Sequence, residues 1–244
     1  MKYKIKFSYD GTNYSGYQKQ PDKSTIQETL ENALTTVLRE QIEIVASGRT
    51  DAGVSAIEQV AHMIVETEIN AQRTIGYANT LLPEDIRINE IERVEEDFHA
   101  RYSAKNKTYE YWFYIGKEAI PVFERMATHI GYDVDVEKMI LASKYFIGEH
   151  DFGAFCASNT EVVNKVRTIY DLNIVNLGGK LYKMEITGNG FLYNMVRIIM
   201  GTLISVGIGK TPVAQIAKII NSKDRALAGK TMPSKGLYLK KVCY

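Results

Sequence analysis

An acid, Asp51, stands in the stretch SGRTDAGVSA (47–56), two residues after Arg49 and two before Gly53. Two kinds of behaviour fit such an acid. A carboxylate kept ionised by a nearby guanidinium can act as a nucleophile or base in a pocket that excludes water. An Asp in a tight turn can equally bond its own backbone while Gly completes the reversal. The stretch has no hydrophobic periodicity, so in either case the acid belongs to a loop. A second group of residues with chemical potential is RYSAKNKTY (101–109), where Arg101, Lys105 and Lys107 occur without an acid and are interleaved with Tyr102 and Tyr109. Cation plus aromatic is what phosphate and base recognition require, although a solvated charged face would read the same way.

Other chemistries lack their residues. No G-x-x-x-x-G-K-[ST] occurs, and no G-x-G-x-x-G follows a strand, so the usual phosphate cradles of ATP hydrolysis and dinucleotide redox are missing. His62, His99, His129 and His150 lack metal-ligand spacing and read as structural or surface histidines. Cys156 and Cys243 are the only cysteines, and no HxE with PCxxC appears, which removes a structural zinc site and the zinc deaminases. Neither a metal nor a cofactor is expected. The opening MKYKIKFSYD has no apolar signal-peptide core, and the most apolar stretch, FLYNMVRIIMGTLISVGIG, carries Arg197 in its middle. A buried helix and a cytoplasmic setting are expected rather than a membrane span.

The 244 residues are 45% hydrophobic and 24% charged, enough for one large or two modest domains with real cores. Net charge is only +1, which argues against a uniformly basic nucleic-acid coat. It is unevenly spread: residues 58–99 hold ten acids against three Arg, and residues 197–244 hold nine Lys or Arg against Asp224 alone. A local basic face is compatible with that.

These residues need elements to position them. Tyr3, Ile5, Phe7 and Tyr9 alternate with lysines, which predicts a half-buried first strand ended by Asp10-Gly11. Ser24 and Gln27 resemble a capping box for a helix over about 25–39. QIEIVAS and QVAHMIV predict strands on either side of the Asp51 loop. Asn70 is placed to cap a helix ending before Pro83, and strands are predicted at DIRINEIERV, KTYEYWFYIG, RTIYDLNIV, KLYKMEITG and GLYLKKVCY. Further helices are predicted over about 135–146, over about 191–206, and after Thr211-Pro212. Hairpin-like strand separation favours an α+β fold with mainly antiparallel sheet. Two α/β halves are expected, residues 1–105 and 106–244, the second completing an active-site cleft.

Six blocks, YDGTNYSGYQ, ASGRTDAGVSA, LPEDIRI, FHARYSAKNKTYEY, NGFLYNMVRIIMGTL and PSKGLYL, resemble in the same order those of the TruA family of tRNA pseudouridine synthases. The resemblance spans essentially the whole chain. It implies a pseudouridine synthase fold, a tRNA substrate, and isomerisation of uridine to pseudouridine in the anticodon stem-loop without a cofactor. It further implies that Asp51 is the catalytic carboxylate, Arg197 its basic partner, and Tyr109 the ring that stacks on the target base. Arg49 matches the residue associated with flipping out nucleotides, and Leu237 the apolar residue near the base. A homodimer that shares one tRNA is also implied. Ser55 departs from the family, which usually carries His there in GRTDAGVHA, and Met63 follows His62 where an aromatic is common.

Some alternatives remain open on these residues. Tyr109, Tyr111 and Phe113 share a strand face and could all be core. Strand tyrosines with basic loops also occur in non-catalytic RNA-binding sheets. A carboxylate enzyme that only cleaves a glycosidic bond normally needs a second acid, which the loop does not offer. Attack of Asp51 at C1′, addition to C6 of the base, and abstraction of the 2′ proton all suit the same side chain.

Overall fold

In the computed structural model, which describes residues 1–158 and 162–244, the N-terminal alternation forms strand β1 (Lys2–Tyr9), burying Tyr3, Ile5, Phe7 and Tyr9. Helix α1 (Ile26–Leu38), strand β2 (Ile44–Ala46), strand β3 (Ser55–Ile64), helix α2 (Ala71–Leu81) and strand β4 (Ile86–Arg93) follow. Next come β5 (Asn106–Ile115), β6 (Thr128–Ile130), α3 (Val136–Ser143), β7 (Gly148–Asp151), β8 (Val166–Gly178) and β9 (Leu181–Gly188). The chain continues through α4 (Met195–Gly207) and α5 (Gln215–Ser222) to β10 (Leu237–Cys243).

Two compact units result, one of Met1–Lys105 with Tyr238–Tyr244 and one of Asn106–Leu237. In the first, β1 pairs antiparallel with both β3 and β4, β2 pairs antiparallel with β3, and β10 adds parallel to β3 through Tyr238 and Leu239. In the second, β5, β9, β8 and β7 pair antiparallel in that order, and β6 adds parallel to β5. The fold is therefore α+β with mainly antiparallel sheet, as expected.

Local chemistry explains where elements begin. Asn70 caps α2, its side chain accepting from the Arg73 N–H at 3.0 Å. The capping box expected at Ser24 and Gln27 is absent: Thr25 is the N-cap and makes no side-chain cap bond. The first N–H groups of α1 are satisfied instead by backbone, Ile26 donating to the Gly16 carbonyl and Gln27 to the Tyr17 carbonyl. Gln27 is then released to bond the buried Glu31 at 2.9 Å. The YDGTNYSGYQ segment is thus the cap of α1.

Helix α4 is buried at every position except Arg197 and Ser205, so its apolar run fills the core of the second unit. Among the described residues no helix is long and apolar enough to cross a membrane. The basic and acidic imbalance is partly met on the first sheet, where Lys6 pairs with Glu90 at 2.8 Å and Lys4 pairs with Glu92.

His62 of β3 is buried and its Nδ1 accepts from the Ala100 N–H at 3.2 Å, which requires the neutral ring. Burial, with the nearby His99 and Lys2, pushes its pKa down to about 4. An unfolded His titrates near about 6.5, so below that value the unfolded chain binds a proton that the folded chain refuses until about pH 4. Stability is therefore lost progressively as pH falls through this window. Urea unfolding between pH 6.5 and 5, above the range of the paired carboxylates, should show a falling midpoint. His62→Asn, whose amide oxygen can still accept from Ala100, should flatten that slope.

Candidate active site

The Asp51 loop is held by its backbone neighbours. Tyr9, buried at the end of β1, meets the Thr50 hydroxyl at 2.8 Å, and burial pushes its phenol up to about 12, so it remains a neutral hydrogen-bonding group. The Thr50 carbonyl accepts from the Tyr17 N–H at 3.0 Å, and Ser47 and Gly48 are tied to the Gln59 side chain at 2.8 and 3.1 Å. Asp51 itself opens a turn closed by the Val54 N–H on its carbonyl at 3.1 Å, with Gly53 at φ 75°. That left-handed conformation is the reason for Gly at this position. β3 carries one extra residue between Ala56 and Gln59 relative to β1, a bulge of the kind that re-aims side chains beside functional sites.

The YDGTNYSGYQ segment lies directly on this loop. A Cβ at Gly11 would stand 2.0 Å from the Val54 carbonyl oxygen, and one at Gly16 would stand 3.0 Å from that of Thr50. Only glycine allows backbone to approach backbone so closely. Ser55, the departure from the family pattern, is buried and accepts from the Gly11 N–H at 3.0 Å while contacting Asp10 Oδ1 at 3.3 Å. LPEDIRI joins the same cluster, since Asp85 accepts from the Tyr14 hydroxyl at 2.7 Å and its carbonyl from the Asp10 N–H at 2.9 Å. YDGTNYSGYQ therefore packs on the turn and LPEDIRI braces YDGTNYSGYQ from behind. Asp51 is half-buried and Arg49 exposed.

The second unit holds Tyr109, Arg197 and Leu237. Of the three aromatic residues sharing a face of β5, Tyr111 and Phe113 are fully buried, whereas Tyr109 is half-buried with its ring edge-on to Phe191 at 5.1 Å. The Tyr111 hydroxyl is committed to Thr128 at 2.8 Å and the Pro233 carbonyl at 2.9 Å. Tyr109 is thus the member of this face with ring surface accessible.

Arg197 is oriented from two sides. Its Nε donates to the Met232 carbonyl at 2.7 Å and its guanidinium to Asn194 Oδ1 at 2.6 Å. Asn194 takes a left-handed φ of 61°, so α4 starts at Met195 and not at Phe191 as expected from periodicity. Met232 is brought alongside because Gly201 and Gly229 let the backbone of residues 228–232 touch the helix: a Cβ at Gly201 would be 1.9 Å from the Lys230 carbonyl oxygen. Beyond it, Gly236 at φ 90° accepts the Trp112 N–H on its carbonyl at 2.7 Å and delivers the buried Leu237. Asn194, Met232 and this glycine pair were not singled out in the sequence. The visible signal is Gly201 in the middle of a largely apolar helix.

No group of three or more His, Cys, Asp or Glu among the described residues could hold a metal ion. His129 and His150 each bond a backbone carbonyl, of Gly116 and Ile147 respectively.

The sequence model of the family described as tRNA pseudouridine synthase matches residues 6–103 and 142–244. The chain belongs to the tRNA pseudouridine synthase family, whose members are isomerases. Among curated relatives, tRNA pseudouridine synthase A of Bacillus licheniformis is 48% identical, with 100% of this chain and 99% of that protein aligned. The protein of the same name from Bacillus subtilis (strain 168) is 47% identical over the same shares, and that from Acetivibrio thermocellus is 44% identical over 99% and 98%. Asp51, Arg49, Arg197 and Leu237 fall within the matched segments, and Tyr109 falls between them.

Proposed function

We propose that this chain isomerises uridine to pseudouridine in the anticodon stem-loop of tRNA, with Asp51 as the catalytic carboxylate. The N1–C1′ bond breaks, a C5–C1′ bond forms, the C5 proton leaves to solvent and N1 gains a proton, so atoms balance without an oxidant or a cofactor. Family membership over the full chain supports the reaction. The observation that supports the role of Asp51 is its turn, against which the segment from Gly11 to Tyr17 packs by backbone contact at Val54 and Thr50, the kind of rigid support that preorganised catalysis requires.

The remaining roles follow the family pattern. Tyr109 stacks on the target base, supported by its half-buried ring against Phe191. Leu237 packs near the base, Arg197 supplies cationic support for the acid, and the exposed Arg49 takes part in displacing nucleotides, offsetting part of the unstacking cost. The protein acts as a homodimer in the reducing cytoplasm, which lets a near-neutral chain assemble a wide positive surface for one tRNA. Light scattering that gave the mass of a single chain at assay concentration would remove the dimer.

Incubation of unmodified tRNA transcripts with the protein, followed by carbodiimide mapping, tests the substrate assignment. Pseudouridine confined to the anticodon arm is the expected outcome. Pseudouridine elsewhere in the tRNA would keep the reaction and overturn the target site.

A further inference from the structure

The first unit contains a column of rings that the proposed chemistry leaves unused. His62 lies at its base, with His99 next at 4.8 Å between ring centroids and Tyr102 above it at 4.4 Å, inclined by 33°. Tyr102 is 77% exposed, and the Arg101 guanidinium stands 5.7 Å from its ring centroid. Single exposed aromatics are common and by themselves mean little.

This one is built into place. His99 Nδ1 accepts from the N–H groups of Arg101 at 3.1 Å and Tyr102 at 3.3 Å. The His99 N–H donates to the Ser103 hydroxyl at 3.0 Å, and the Ser103 N–H returns to the His99 carbonyl at 2.9 Å. Below the turn, Ala100 is fastened at both ends of its peptide, its N–H to His62 at 3.2 Å and its carbonyl to the Tyr244 hydroxyl at 2.8 Å. A ring seated in this way has already lost most of the freedom that binding would otherwise remove. An exposed ring backed by imidazole, with a guanidinium over it at 5.7 Å from the centroid, suits a planar π ligand attached to a phosphate. Within the same unit, Arg101 and Lys105 follow one another in sequence without an acid between them.

We infer that Tyr102, seated on His99 and flanked by Arg101, is a stacking platform for one unpaired nucleobase of the RNA substrate, distinct from the uridine that is isomerised. This inference rests on the proposed function for its choice of RNA as the ligand. Base-on-aromatic stacking is sequence-tolerant, so the platform adds affinity and orientation rather than base identity.

Fluorescence anisotropy with an end-labelled, unmodified tRNA transcript at fixed salt tests it, alongside the rate of pseudouridine formation. Tyr102→Phe keeps the ring and is expected to bind within about twofold of the unaltered protein. Tyr102→Leu keeps apolar contact with His99 but has no π face, and is expected to weaken binding by about 5- to 100-fold. KM should rise in step while the single-turnover rate at saturating protein is unchanged. Thermal midpoints of both variants, at an exposed position, should match the parent and so exclude misfolding. Binding by Tyr102→Leu within twofold of the parent overturns the platform even if pseudouridine still forms. Loss of affinity in Tyr102→Leu by a protein that makes no pseudouridine upholds the platform and overturns the proposed reaction.

Discussion

Asp51→Asn is expected to leave tRNA affinity and thermal stability near those of the parent and to lower the rate of pseudouridine formation by more than about a thousandfold. The substitution conserves shape and keeps an oxygen, so a purely structural Asp would tolerate it. The loop geometry supports that separation: bonds that fix the turn run through the Asp51 carbonyl, the Thr50 carbonyl and hydroxyl, the Ser47 hydroxyl and the Gly48 carbonyl, and the substitution leaves each of these groups in place. A stopped single-turnover assay read beside a binding isotherm checks both halves. A matched loss of affinity and rate would make Asp51 a binding residue.

Gly11→Ala should produce the second large effect, although this residue is forty positions away in sequence from the acid. Its Cβ would be placed 2.0 Å from the Val54 carbonyl oxygen, a backbone atom that cannot swing aside. Either the YDGTNYSGYQ segment lifts away or the turn from Asp51 to Val54 shifts. The expected cost is roughly 2–4 kcal/mol of stability. Displacement of the acid by about an ångström should lower kcat/KM by about a hundredfold beyond what loss of folded protein explains. Gly76→Ala in α2 is the control: nothing lies within 4 Å of the added methyl, so it should stabilise the helix by about 1 kcal/mol and leave the reaction untouched. Urea unfolding and steady-state kinetics on the two variants distinguish these outcomes.

What the sequence made legible was largely local. Alternation in KYKIKFSY and helical spacing from Ile26 onward each concern residues a few positions apart, and the strands and helices they predict are present. Asn70 was legible as a cap because a cap is a contact over three residues. The misreadings share a different cause. Ser24 and Gln27 have the composition of a capping box, but the carbonyls of Gly16 and Tyr17 reach the helix first. Helix α4 starts four residues late because Asn194 adopts a left-handed conformation that apolar periodicity cannot reveal. β6 and β7 are too short, at three and four residues, for alternation to register.

The candidate site divides in the same way. Asp51 and Tyr109 are singled out through the family resemblance, since the strand pattern alone leaves Tyr109, Tyr111 and Phe113 alike, and Gly53 is legible as a turn residue. Their supports are not legible, because they are contacts between distant backbone segments: Gly11 with Val54, Gly16 with Thr50, Gly201 with Lys230. Glycine records such contacts only as a missing side chain. Ser55 illustrates the limit from the other direction, since its departure from the family pattern was visible, yet its role in bonding Gly11 and Asp10 appears only in three dimensions.

Release of the hydrogen at C5 of uridine is the measurement that bears most directly on the central claim. Reattachment of the sugar through C5 must expel that hydrogen, whereas simple glycosidic cleavage would keep it on the base. With a tRNA transcript carrying tritium at C5, the parent protein should release label to water, and Asp51→Ala should release none above background. Release by Asp51→Ala at the parent rate would contradict the assignment of this carboxylate as the reacting group.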